Sequence, residues 1–313
     1  MKLRISLGAL LLAAIASPAG AVNVVFDYSY DNTGFFSSDK RAVLNQVAQV
    51  FGQNLTDTLS AITPSGSNVF DAKLFDPRDP LNSVVTISNF SVPSDTVRIF
   101  VGSTAFGTQT LGVGGPGFES VSGSTAFIRN AVSRGETGAL LAVPTDFGPW
   151  GGSITFSSTM SWYVDSDVRT LESFAGKYDF FTVAMHETAH VFGIGTADSW
   201  TSLVSGHSFT GAKASQLNGG LPLALQNDGT DAHFSTSVIG QANGVAQQTL
   251  LSPFISSGSR KFMTNLDWAA LDDIGWDVAS LQATIPSAVP EPGGWAMMLG
   301  GMLLIGGVLR RRI

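Results

Sequence analysis

At 313 residues, with 44% hydrophobic and 13% charged side chains, the chain is long enough to bury a large core as one domain. A formal charge of −7 leaves no electrostatic case for nucleic-acid binding. The absence of cysteine excludes disulfides and thiolate metal ligands, so a metal site has to be built from His and carboxylates.

Residues 1–21 place Lys2 and Arg4 before an apolar run from Ile5 to Ala16, then the small residues Ala19, Gly20 and Ala21. This is the layout of a secretory signal peptide cleaved after Ala21. Residues 22–30 predict a first strand and 38–59 a long amphipathic helix. In the helix Val43, Leu44, Val47, Val50, Phe51, Leu55 and Leu59 recur at helical spacing, with Ser37 or Ser38 as cap. Residues 83–90 and 96–102, rich in Val and Ile, predict two further strands. Residues 102–123 are glycine-rich without the Lys-Ser/Thr of a phosphate loop, and read as a surface loop. Residues 150–164 predict a strand or hairpin. The alternating carboxylates of Asp165-Ser166-Asp167 match either a structural Ca2+ loop or a solvated turn.

The densest chemistry lies in residues 178–195, YDFFTVAMHETAHVFGIG. His186-Glu187-Thr188-Ala189-His190 is an H-E-x-x-H pattern. On a helix, positions four apart lie nearly above one another, so both imidazoles can reach one cation. Glu187, rotated by about 100°, falls beside that cation, placed to take the proton of a water the metal acidifies. Asp179 is a candidate cap, and Gly193 supplies a left-handed end. After Gly195 the chain reads as loop to about Thr249, with turns at Asn218-Gly219-Gly220 and Asn227-Asp228-Gly229. Residues 264–276 predict a closing helix, with Thr264 and Asp267 as a capping box and Gly275 at its end. The sum is an α+β domain: a mixed twisted sheet, a long N-terminal helix, the motif helix and a loop-rich C-terminal subdomain.

A catalytic zinc site needs a third protein ligand. No Glu lies between Glu187 and Glu291, and Thr196 stands where the compact H-E-x-x-H-x-x-G-x-x-H pattern has its third His. Asp198, His207 and His233 remain as candidates.

The run His186 to Gly193, then Ile194-Gly195-Thr196, a distant His, and Ala270-Leu271-Asp272-Asp273-Ile274-Gly275-Trp276, resembles the leishmanolysin-like metzincins with an insertion before the third ligand. More narrowly it resembles exported PEP-CTERM zincin-like metallopeptidases, over residues 150–278 with weaker likeness back to Phe26. That resemblance implies a zincin/metzincin-like fold whose cleft divides residues 22–195 from 196–285. It also implies a third ligand in a Gly/Asp-His-aromatic context, which His233-Phe234 fits. An edge strand beside the metal pairs with extended substrate in such enzymes, and residues 151–156 are the candidate. The chain departs from the family at the turn beneath the metal, where Leu250-Leu251-Ser252-Pro253 puts Leu251 in the place of a Met of similar volume.

The far end carries Val289-Pro290-Glu291-Pro292, seventeen uncharged residues at 293–309, and Arg310-Arg311-Arg312. This tail, 286–313, resembles the PEP-CTERM sorting signal of diderm bacteria. The resemblance implies an exosortase-type partner, transient membrane anchoring through 293–309, and export to the cell surface or matrix. Without both ends, Lys+Arg falls from 17 to 12 and Asp+Glu from 24 to 23, a net charge of about −11 for the remaining domain, 22–285. The expected function is an exported zinc endopeptidase acting on protein or peptide substrates. His186, His190 and His233 would hold Zn2+, with Glu187 as general base. The rival is a non-catalytic surface or matrix binding protein on the same scaffold.

Overall fold

In a computed structural model, which describes residues 22–282 apart from 108, 166 and 170–172, the Val- and Ile-rich runs form the centre of a sheet. The segments 1–21 and 286–313 lie outside the described residues, and with them the signal peptide and sorting tail. Along the chain come β1 (Asn23–Asp27), α1 (Ser38–Asn54), β2 (Val69–Phe75), β3 (Val84–Ile87) and β4 (Thr96–Thr104). There follow β5 (Gly112–Pro116), β6 (Phe118–Ser122), α2 (Thr125–Ser133), β7 (Gly151–Ser157), β8 (Trp162–Tyr163), β9 (Tyr178–Asp179) and α3 (Phe180–Val191). The C-terminal part has α4 (Asp198–Ser202), β10 (Val204–Ser205), β11 (Ser208–Phe209), α5 (Ala212–Leu217), β12 (Leu223–Ala224), β13 (Ile239–Ala242), β14 (Val245–Gln248) and α6 (Asn265–Asp273). The class is α+β, with several sheets. Among the described residues no helix is long and apolar enough to cross a membrane.

The main sheet runs β1-β4-β7-β5, parallel across its first three strands and antiparallel at β5. Val97, Ile99, Val101, Ile154 and Phe156 bury one face of it with α1 and α3. Phe51 of α1 stacks on Phe192 at 4.8 Å and meets Trp268 of α6 edge-on at 5.7 Å, so both long helices and the closing helix share one core. The second sheet, β3-β2-β6, is antiparallel throughout; it buries Phe70, Ala72 and Leu74 in a smaller cluster with Trp150.

Several sequence expectations need correction. The segment from Gly195 to Thr249, read as loop, carries the short helices α4 and α5 and the short strands β10 to β14. The helix predicted to reach 59 stops at Asn54, because Leu55 goes extended and its carbonyl accepts from Val22 N–H at 3.1 Å. Leu55 and Leu59 remain buried, but on extended backbone; apolar spacing alone did not separate the two cases. The glycine-rich 102–123 is no surface loop: it carries the end of β4, then β5 and β6. Consequently β7, the candidate edge strand, is an interior strand, buried along its whole length and paired with β4 on one side and β5 on the other. Among the described residues β1 and β5 are the edge strands of this sheet.

Candidate metal centre

Helix α3 owes its position to apolar residues on every side, and all twelve of its residues are buried. Asp179 caps it, accepting from the Thr182 N–H at 3.1 Å and hydroxyl at 2.7 Å. Arg260, itself 1% exposed, donates to both Asp179 oxygens at 3.0 Å. Its guanidinium also takes Asp165 at 3.1 Å, while Asp167 is engaged by Arg169. Asp165 and Asp167, the carboxylates read as a Ca2+ loop or a solvated turn, are thus each paired with an arginine. At the other end Gly193, at φ 104°, turns the chain, and Gly195, at φ 75°, lies against the Ala232 backbone. A side chain at Gly195 would collide with that backbone, so the glycine is what lets the segment carrying His233 approach the helix.

The structure brings His186, His190 and His233 together. Nε2 of His190 is 3.2 Å from Nε2 of His186 and 3.2 Å from Nε2 of His233. Nitrogens about 2.0–2.1 Å from a tetrahedral cation stand roughly 3.3 Å apart, so the spacing fits one ion. The outer nitrogens decide the tautomers. Nδ1 of His186 lies 2.9 Å from the Leu250 carbonyl and Nδ1 of His190 2.7 Å from the Ile194 carbonyl. A carbonyl only accepts, so each Nδ1 carries the proton and each Nε2 turns a lone pair inward. Converging lone pairs repel unless a cation lies among them. The three ligand atoms lie within 4.8 Å of one another, the only such group among the described residues.

Burial, and next the neighbouring imidazoles, hold His186 well below its ordinary pKa; burial, then His233, draws His190 down to about 3. Burial likewise lowers His233, against the pull of Asp228. Neutral imidazole is the form that binds a metal. Glu187, one residue on from His186, accepts the Gly114 N–H, and burial pushes its carboxyl up to about 8.

The other third-ligand candidates lie elsewhere. Asp198 is exposed in the first turn of α4. His207 sits at φ 56° in the β10–β11 turn and pairs through Nδ1 with Asp231 at 2.7 Å. It supports the His233 segment rather than reaching the centre. That segment is bracketed by a bridge between Leu225 and Phe234, by Gln226 N–H to the His233 carbonyl at 2.8 Å, and by Trp200 Nε1–H to the Asp231 carbonyl at 3.1 Å. Beneath it Leu251 is fully buried; its N–H donates to Asp267 at 3.2 Å and its carbonyl accepts from Phe234 N–H at 3.0 Å.

Two contributors escaped sequence reading. Gly112 and Gly114 of β5 face α3 so closely that a Cβ would stand 2.9 Å from Glu187 Cγ at the first and 2.6 Å from the Glu187 carbonyl oxygen at the second. Glycine two residues apart, on one face of a strand, was the available signal. Tyr178 is the other. With Leu111, Val113, Phe254 and Ile255 it lines a cleft of about 640 Å³ that opens on the three histidines. Compared with known proteins, the chain matches no family model, no curated protein and no solved structure.

Proposed function

We propose that this chain is an exported zinc-dependent endopeptidase of the metzincin kind. The observation that carries the reading is the convergence of three inward-turned imidazole nitrogens with a buried glutamate at the floor of an open cleft. His186, His190 and His233 would hold the ion. Three nitrogen ligands and no sulfur or carboxylate suit zinc, and leave a position for a reactant. When bound by these three residues, zinc would supply Lewis acidity toward a carbonyl and a water.

The remaining work falls to the protein. Among the described residues Glu187 accepts the Gly114 N–H and bonds to no titrating group, so its carboxylate can accept a proton from water and return it to a leaving amine. Burial raises its pKa in the ion-free site, and a cation held by the three histidines would lower it again. The outer edge of β5 pairs with no strand among the described residues, and apart from the Gly114 N–H, which Glu187 accepts, it offers backbone groups to an extended chain lying in the cleft. Pairing of that kind holds a peptide with little dependence on its side chains. Export, and sorting through an exosortase-type partner, are proposed from the sequence of the two ends.

The test is Glu187→Gln in the zinc-loaded protein. Cleavage of casein or a peptide library should fall by about 10²–10⁴-fold while zinc stays bound. Equal behaviour of variant and wild type, with zinc present in both, would remove the protease reading and leave a binding protein on this scaffold.

A further inference from the structure

Two of the three imidazoles are fixed from behind by backbone carbonyls, Leu250 for His186 and Ile194 for His190. The third is not. Nδ1 of His233 is buried and makes no hydrogen bond among the described residues. What faces it is a carboxylate on its own segment: Asp228 Oδ2, at 3.7 Å. The other oxygen of that carboxylate is occupied, since Oδ1 accepts the Thr230 N–H at 2.9 Å and hydroxyl at 2.6 Å. Asp228 is thereby held by a local turn with its remaining oxygen toward the ring. The second carboxylate of the segment, Asp231, is already taken by His207 and is no competitor.

We infer that Asp228 is the positioning residue of the third ligand, accepting the Nδ1–H of His233 and so fixing its Nε2 toward the other two. The inference rests on the metal reading of the centre but not on peptidase activity. A carboxylate behind a ligating imidazole sets its tautomer and ring orientation and raises its basicity, and its negative charge does the last more strongly than a neutral carbonyl. The device is placed where it is needed: His233 is the ligand that arrives on an irregular segment, without a helix to aim it.

The experiment measures zinc affinity of the full chain by chelator competition, for wild type, Asp228→Asn, Asp228→Ala and Asp231→Asn. Asn at 228 retains an oxygen for Thr230, and so the turn, but supplies an NH2 where His233 needs an acceptor. Asp228→Asn and Asp228→Ala should each weaken zinc binding by about 10–100-fold. Asp231→Asn, which loosens the same segment without touching His233, should stay within about fivefold of wild type. In proton NMR of the zinc form, the slowly exchanging Nδ1–H of His233 should be lost in Asp228→Asn while those of His186 and His190 persist. Wild-type affinity in Asp228→Asn overturns the assignment, as does an equal loss in Asp231→Asn. A wild type that binds no zinc would overturn the metal reading itself, and this inference with it.

Discussion

The two regions that meet at the centre are built in opposite ways. Residues 180–191 deliver His186, Glu187 and His190 from a single helix buried all round, so three functional groups inherit their positions from one core. Residues 196–251 deliver a single histidine from short helices, two-residue strands and turns, held by hydrogen bonds between distant backbone groups. Helical geometry gives the first set its mutual spacing; the second region has to fix one ring against a target it does not contain. Precision in the first comes from packing, and in the second from polar contacts made one at a time.

The comparison breaks most sharply at Asp179. It is fully buried, caps α3 and pairs with Arg260, so Asp179→Ala removes the cap and leaves that guanidinium with Asp165 alone of its two carboxylates. A loss of about 2–4 kcal/mol is expected in denaturant unfolding, from the cap and the charged hydrogen bonds together. A loss below 1 kcal/mol would mean that the helix region does not depend on that buried network.

Gly114→Ala comes next. Its new methyl would press on Glu187, costing about 1–3 kcal/mol and lowering activity. Gly115→Ala meets open space and should leave thermal stability and turnover close to wild type. If the two variants behave alike, the close approach of β5 to α3 carries no energetic weight.

An acidic corner away from the centre gives a smaller, pH-dependent effect. Glu136 hydrogen-bonds to Asp146, and its carboxyl is pushed up to about 8, first by burial and then by the charge of Asp146. Since the folded value exceeds the unfolded one, the folded state binds the extra proton. Stability from this group is therefore present below about pH 4.5 and is lost as pH rises toward 8. Because Glu136 is partly exposed, solvent screening keeps the effect to about 1 kcal/mol or less. Glu136→Gln should flatten the fall in melting temperature between about pH 4.5 and 8; an unchanged slope would remove Glu136 as its source. His207→Ala is expected to be mild, within about 1 kcal/mol, because its pair with Asp231 is half exposed. A larger loss would show the C-terminal region hanging on that one contact.

The same contrast separates what could be read in the sequence from what could not. The motif helix, its Asp179 cap and Gly193 end, and the capping box of α6 are local patterns, and the structure has them where local rules put them. Strand β2 was missed although Phe70, Ala72 and Leu74 alternate inward, because that run is short and followed by a charged turn. Strand β5 was missed because its glycines remove the β-branched signature of a strand, while serving a close approach to Glu187 that no local rule reveals. By spacing alone, His233 was no better a ligand than His207 or Asp198. The contacts that separate them, Phe234 N–H to Leu251 and Gly195 beneath Ala232, join residues that are far apart in the chain.

His190 and His233 are separated by 43 residues, yet their Nε2 atoms stand 3.2 Å apart. An ion shared by them would act as a cross-link that closes the intervening chain into a ring. The entropic cost of such a ring grows only logarithmically, about 0.6 kcal/mol for each doubling of its length. The stretch between the two anchors can thus gain or shed residues at little thermodynamic expense, provided that Gly195 and the Leu225–Phe234 bridge keep its ends in register.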